Sequence, residues 1–268
     1  LSKTNNEFLD FALLLTDEVT DVIVSYYNNC SIKIKADGSE LTEADQEAEK
    51  IIRARIEKKY PMHNILGEEF GKKNTSHSEY KWVIDPIDGT IFFTLGMPTF
   101  GTLIALLKDD EPIVGVIHFP VTNETVYAAK GLGCWYKSNK NKAVRIHVNK
   151  LDKVSEAIIS AAGVHSTDIW TKNDEVPYNL SNVIKNAGKF RFCADCLQHS
   201  LVCRGKLHAA IDTIMNPWDV AAIIPCVEEA GGVVTDLSGN RSDILNGGSL
   251  ISSSSSILHE ELLRLLAQ

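Results

Sequence analysis

The chain has 268 residues, and 27 Lys and Arg against 35 Asp and Glu leave a formal charge of −8. That acidic excess argues against nucleic acid as a partner, because no cationic surplus exists to displace phosphate counterions. Hydrophobic residues at 44% and charged residues at 23% describe a globular chain rather than a disordered one, and no apolar run reaches the ~18 residues a membrane span needs.

Phe8, Phe11, Leu15, Val19, Val22 and Tyr26 recur at spacings of three and four, so the chain opens on a helix expected to stop at Asn28-Asn29. Its apolar centre, Phe11–Leu15, lies between Asp10 and Thr16-Asp17-Glu18, which is not the layout of a signal peptide. Thr42 with Asp45 three residues on is a capping-box pattern for a second helix. Ala44, Ala48, Ile51, Ile52 and Ile56 form its apolar stripe, and Pro61 closes it.

Beyond residue 80 the period changes. Short apolar runs at 81–84, 102–107, 113–118 and 125–129, with a turn at 109–112, predict a meander of neighbouring strands. Two further strands are expected at 144–148 and 157–162, and 163–189 reads as polar and irregular. Strand 190–192, helix 195–204, strand 207–211, helix 218–230 and strand 233–235 then alternate as in a layered α/β unit. Ser252–Ser256 is expected to cap a last helix at 257–266. The change of rhythm sets a boundary near residue 150, between a helix-plus-meander half (1–150) and an α/β half (151–268) of one compact unit. Six cysteines (Cys30, Cys134, Cys193, Cys196, Cys203, Cys226) are few for this length and read as reduced thiols of a cytoplasmic protein.

The chemistry concentrates in Trp82-Val-Ile-Asp85-Pro86-Ile87-Asp88-Gly89-Thr90. Asp85 is expected at a strand end, held extended by the proline after it, and Gly89 can turn at positive φ. Asp85 and Asp88 would then converge, and paired anions are costly unless a cation lies between them. Oxygen-only ligands suit Mg²⁺ or Mn²⁺; the competing reading is an ordinary acidic turn. Gly67-Glu68-Glu69 lies upstream. Downstream, Asn216-Pro217-Trp218-Asp219 starts a helix, where Asp219 could simply complement the helix dipole. Gly96–Thr102 has phosphate-loop glycine spacing without the lysine. Cys193, Cys196, His199 and Cys203 match no standard zinc spacing and read as helix packing.

Gly-Glu-Glu, then Asp-Pro-Ile-Asp-Gly-Thr, then Trp-Asp-Val-Ala-Ala followed by Glu-Ala-Gly-Gly-Val-Val resembles the signature of the inositol monophosphatase superfamily. The resemblance spans nearly the whole chain. It implies an α/β fold, a layered αβαβα sandwich of the inositol monophosphatase / fructose-bisphosphatase type, and a Mg²⁺-dependent, Li⁺-sensitive phosphomonoesterase that works as a homodimer. By the same resemblance Glu68, Asp85 and the Ile87 carbonyl hold one metal, and Asp85, Asp88 and Asp219 a second. Asp45 matches an acidic residue near a third, weaker metal position, although capping its helix explains it equally well. Thr90 with Glu68 would orient the attacking water, and the Gly89 and Thr90 amides would cradle the phosphate.

The segment 96–107 and Ala194-Asp195-Cys196 are similar to the histidinol-phosphate phosphatase branch. Histidinol phosphate carries an ammonium group, which a carboxylate at Asp195 would pair with. Asp212 stands where the family has a longer substrate-binding Glu, and Ile91 where a polar or basic residue is common. Histidinol phosphate is therefore the favoured substrate. Inositol or another sugar monophosphate is the alternative, and a regulatory binding protein with vestigial activity the outlying one.

Overall fold

The structure is a computed structural model describing residues 2–29, 31–34, 40–75, 78–139, 141–170, 178–193 and 195–267. Cys30, His77 and Ala194 lie outside the described residues.

Of the expected helical stripe, Phe8, Phe11, Leu15 and Val19 are buried along α1 (Ser2–Tyr26), while Val22 and Tyr26 at its end are half-buried. A short hairpin, β1 (Ile32–Ile34) and β2 (Glu40–Thr42), leads into α2 (Glu43–Lys59), which Thr42 and Asp45 cap reciprocally. Then come β3 (Asn64–Gly67), β4 (Gly71–Lys73), β5 (Tyr80–Asp88) and the one-turn α3 (Thr90–Thr94). The meander follows as β6 (Gly101–Lys108), β7 (Glu111–Phe119), β8 (Glu124–Ala129), β9 (Gly133–Ser138) and β10 (Val144–Ile146). The rest of the chain forms β11 (Ile158–Ala161), α4 (Leu180–Asn186), β12 (Lys189–Phe192), α5 (Asp195–Cys203) and β13 (Ala209–Asp212). It ends with α6 (Pro217–Val220), α7 (Ile223–Glu229), β14 (Val233–Thr235), β15 (Leu250–Ser253) and α8 (Ser256–Ala267).

An eight-stranded sheet has the order β10-β9-β8-β7-β6-β5-β3-β4, and a five-stranded one β12-β11-β13-β15-β14. Side-chain alternation sends each strand into two different cores. Trp82, Ile84, Ile104 and Leu106 face the stripes of α1 and α2, whereas Val83, Leu103 and Ala105 face α5 and α7. In the second sheet Ala210 and Leu250 join that middle core, while Ile159, Ile211 and Ile251 pack on α4 and α8. The three cores separate five layers, helix, sheet, helix, sheet, helix, as the resemblance implied.

Four local expectations are corrected. The 163–189 segment contains α4, whose apolar Leu180 and Val183 pack inward. Residues 218–230 form two helices separated by a turn at Ala221-Ala222, where Pro225 has no N–H to give the Ala221 carbonyl. The serine run begins as the buried strand β15; only Ser255, whose Oγ accepts the Leu258 N–H at 3.2 Å, caps α8. Asp85 does not end its strand: β5 runs on to Asp88 through an irregularity in its pairing with β6. Pro86 cannot donate to that ladder, and its carbonyl instead accepts the Thr102 hydroxyl at 2.9 Å. Gly115 at the middle of β7 lets α7 approach; a Cβ there would lie 2.2 Å from the Ala222 carbonyl oxygen.

Candidate active site

The irregular end of β5 is where the site begins. With the register broken, Asp85 and Asp88 both turn toward one cleft, and the Asp85 Oδ1 accepts the Ile87 N–H at 3.0 Å, which stiffens the corner. Gly89 follows at φ +82°, the left-handed conformation that a side chain would resist, and starts α3. The Thr90 hydroxyl donates to the Ile87 carbonyl at 3.0 Å.

Two other elements complete the cleft. Glu68 lies in the turn after β3, whose backbone is tied to β5 by the Glu68 N–H donating to the Ile84 carbonyl at 3.2 Å. Asp219 stands in the first turn of α6, with its Oδ2 accepting the Asn216 N–H at 2.7 Å. The capping role expected of Asp219 is thus present together with its place in the cleft. One oxygen each of Asp85, Asp88 and Asp219 lies within 4.8 Å of the others, the same three residues grouped from the sequence. Glu68 lines the cleft beside this triplet. Asp45 stands behind it: its Oδ2 accepts the Thr42 N–H at 2.8 Å, while its buried Oδ1 has no hydrogen-bond partner.

The cleft, about 180 Å³, is lined by six carboxylates, Glu68, Asp85, Asp88, Asp195, Asp212 and Asp219, and by no Lys or Arg among the described residues. Burial, reinforced by the Glu68, Asp88 and Asp219 charges, pushes the Asp85 carboxyl well above the usual range. Burial and the Asp195 and Asp219 charges do the same to Asp88, although it accepts the Cys196 N–H at 2.7 Å. Asp219 is pushed up to about 7 by burial, with Glu68 and Asp212 adding to it against the Asn216 N–H. Crowded buried anions of this kind fit a divalent cation with oxygen ligands.

Asp195 begins α5 and Asp212 ends β13, both as expected from the sequence. The Asp195 Oδ2 lies 2.7 Å from where a Cβ on Gly89 would be, so this carboxylate overhangs the β5–α3 corner. Burial, with the Asp212 charge, raises Asp195 to about 7. The Asp212 Oδ2 accepts from Gln198 Nε2 at 2.7 Å and meets His199 Nε2 at 3.0 Å. Behind them Ser160 donates to Gln198 Oε1 at 2.6 Å, and His199 Nδ1 meets the Ser252 hydroxyl at 2.8 Å. By its spacing alone His199 is a packing residue. Its spacing from Cys196 and Cys203 explains why it is buried, but not that it holds Asp212, which is 13 residues away across the fold.

The chain matches the Inositol monophosphatase family over residues 4–268. It is 34% identical over 256 residues to a histidinol-phosphatase of Chlorobaculum parvum, with 93% of each chain covered. It is 30% identical over 263 residues to a fructose-1,6-bisphosphatase/inositol-1-monophosphatase of Thermotoga maritima, covering 96% of this chain and 95% of that one. Among solved structures it resembles a Thermotoga maritima IMPase with a TM-score of 0.82 at 29% identity, covering 97% of this chain and 96% of that one.

Proposed function

Since the chain belongs to the inositol monophosphatase family, whose members are phosphoric monoester hydrolases, we propose that it hydrolyses histidinol phosphate to histidinol and phosphate with Mg²⁺. The observation that carries the metal reading is the cleft of six carboxylates without a lining Lys or Arg. Glu68, Asp85, the Ile87 carbonyl, Asp88 and Asp219 are the residues to hold two divalent cations, with Asp45 nearest a third. When bound, such ions polarise phosphate oxygens and make water acidic enough to attack near neutral pH.

The protein's own groups do the positioning. The Thr90 hydroxyl proton is committed to the Ile87 carbonyl, so its oxygen is left to accept a hydrogen bond from the attacking water. Glu68, which lines the same cleft, would with Thr90 orient that water and receive its proton. The Gly89 and Thr90 amides would cradle the phosphate; the water oxygen bonds to phosphorus as the ester P–O bond breaks, with no phosphoenzyme, and the proton the water gave up ends on the departing alcohol oxygen. Asp195 and Asp212 line the same cleft outside the triplet, and the reading assigns them to the non-reacting part of the substrate. Two carboxylates there favour a cationic alcohol over a neutral polyol. The similarity to the Thermotoga bisphosphatase/monophosphatase favours inositol or another sugar monophosphate as the second reading.

A panel of phosphate monoesters assayed with Mg²⁺, and again in excess chelator, tests both parts. Histidinol phosphate should be turned over fastest, and chelation should abolish all turnover until Mg²⁺ is returned. Full activity in chelator would sink the metal reading; preference for a neutral sugar phosphate would move the substrate to the second one.

A further inference from the structure

The turn that carries Glu68 is held from behind by a buried ion pair on α2. Glu49 lies one helical turn beyond Asp45, and its side chain is 0% exposed. Its Oε2 accepts the Glu69 N–H at 2.7 Å, and its Oε1 accepts the Phe70 N–H at 3.3 Å and Arg53 Nε at 2.6 Å. Arg53 Nη2 in turn donates to the Gly71 carbonyl at the far end of the turn. Gly67, at the near end, has no room for a side chain, since a Cβ would lie 2.0 Å from Glu49 Oε1. The three residues after Glu68 are therefore fastened to α2 and Gly67 before it lies tight against Glu49, while the Glu68 N–H fastens the turn to β5 beside Asp85.

We propose that Glu49 and Arg53 are positioning residues, a clamp that holds the Glu68 turn in its metal-receiving shape before any cation arrives. This rests on the reading of Glu68 as a metal ligand. Two arguments favour positioning over simple stabilisation. A buried ion pair is poor value as stability, because desolvation cancels most of its attraction. The second argument is geometric: Glu68 shares its cleft with five other carboxylates and no lining Lys or Arg among the described residues, so like charges repel it, and the clamp holds its turn against them. Outer groups that orient ligands in this way typically control metal affinity by 10–100-fold.

Glu49→Gln tests the clamp, since the amide brings an N–H₂ group against donors that the carboxylate now accepts from. Mg²⁺ alone is titrated calorimetrically into chelator-stripped protein, with Arg53→Gln as a second variant should Glu49→Gln fold poorly. Leu262→Ala, in the buried core between the second sheet and α8, serves as a destabilised control far from the turn. The expected result is a Mg²⁺ Kd about 10–100-fold weaker in the clamp variants and unchanged in Leu262→Ala. An unchanged Kd in Glu49→Gln, or equal weakening in Leu262→Ala, overturns the clamp. A parent protein that binds no Mg²⁺ overturns the metal reading, and the clamp with it.

Discussion

Asp45→Asn separates two roles for one residue by the sign of its effect on stability. Burial, with the charges of Glu69 and Glu68 added, raises the Asp45 carboxyl from 3.8 to about 7 despite its hydrogen bonds from Thr42. A folded-state value above the unfolded one means the folded protein binds this proton more tightly. Its contribution to stability is then complete below about pH 4 and lost as pH rises through about 7. Three pK units correspond to about 4 kcal/mol. Asparagine keeps the shape and an oxygen for the Thr42 N–H, but gives up the hydroxyl bond to a charged group and adds an amide where Oδ1 has no partner. Roughly 1 kcal/mol lost that way leaves a net gain of about 3 kcal/mol at pH 8, or on the order of 10 °C in Tm for a chain of this size. The gain should shrink toward zero by pH 4–5. Thermal unfolding of parent and variant in excess chelator from pH 4 to 8 measures it. A carboxylate that only caps α2 gives the opposite sign, a loss of about 1 kcal/mol at neutral pH. A variant less stable than its parent at pH 8 would refute the crowding argument.

Asp88→Asn should lower turnover by at least about 100-fold without lowering the metal-free Tm, because the amide oxygen can keep the Cys196 N–H; normal turnover would make Asp88 a turn residue only. Asp195→Ala should cut kcat/KM for histidinol phosphate by about 10–100-fold, the worth of a charge-assisted hydrogen bond, and leave a small uncharged ester nearly untouched. Equal losses on both esters would favour the sugar-phosphate reading. Cys196→Ser should keep activity and metal stoichiometry, since this buried thiol packs against Gly101; loss of a stoichiometric zinc ion would contradict that.

What was legible in the sequence is what periodicity and local motifs encode. The α1 stripe, the Thr42–Asp45 box and the apolar run at 81–84 each follow from a few consecutive residues; that Val83 faces one core while Trp82 and Ile84 face another does not. The strands missed were short or flanked by polar residues. Gly133–Ser138 pairs with β8 across a turn at 130–132, yet its Trp, Tyr and Lys hide any apolar run. Leu250–Ser253 is buried on both faces with serines in the strand, and the partners that make this tolerable, such as His199 for Ser252, lie far away in the chain. The same holds at the site. The grouping of Asp85, Asp88 and Asp219 came from motifs in fixed order, whereas Glu49, Gln198 and His199 act through contacts that no spacing rule announces.

Gly115 bears on which positions evolution and mutagenesis can vary. It lies on β7, outside the cleft, and no substrate atom need come near it. Yet it touches Ala222, three residues after Asp219, so any added methyl group must shove the α6–α7 bend and the carboxylate that precedes it. A saturation screen scored by activity would therefore rank Gly115 with the acidic residues, and Ala would fare little better than Val. Anyone inferring an active site from intolerance alone would draw it too large, extending it through the sheet to a glycine whose whole contribution is to leave space.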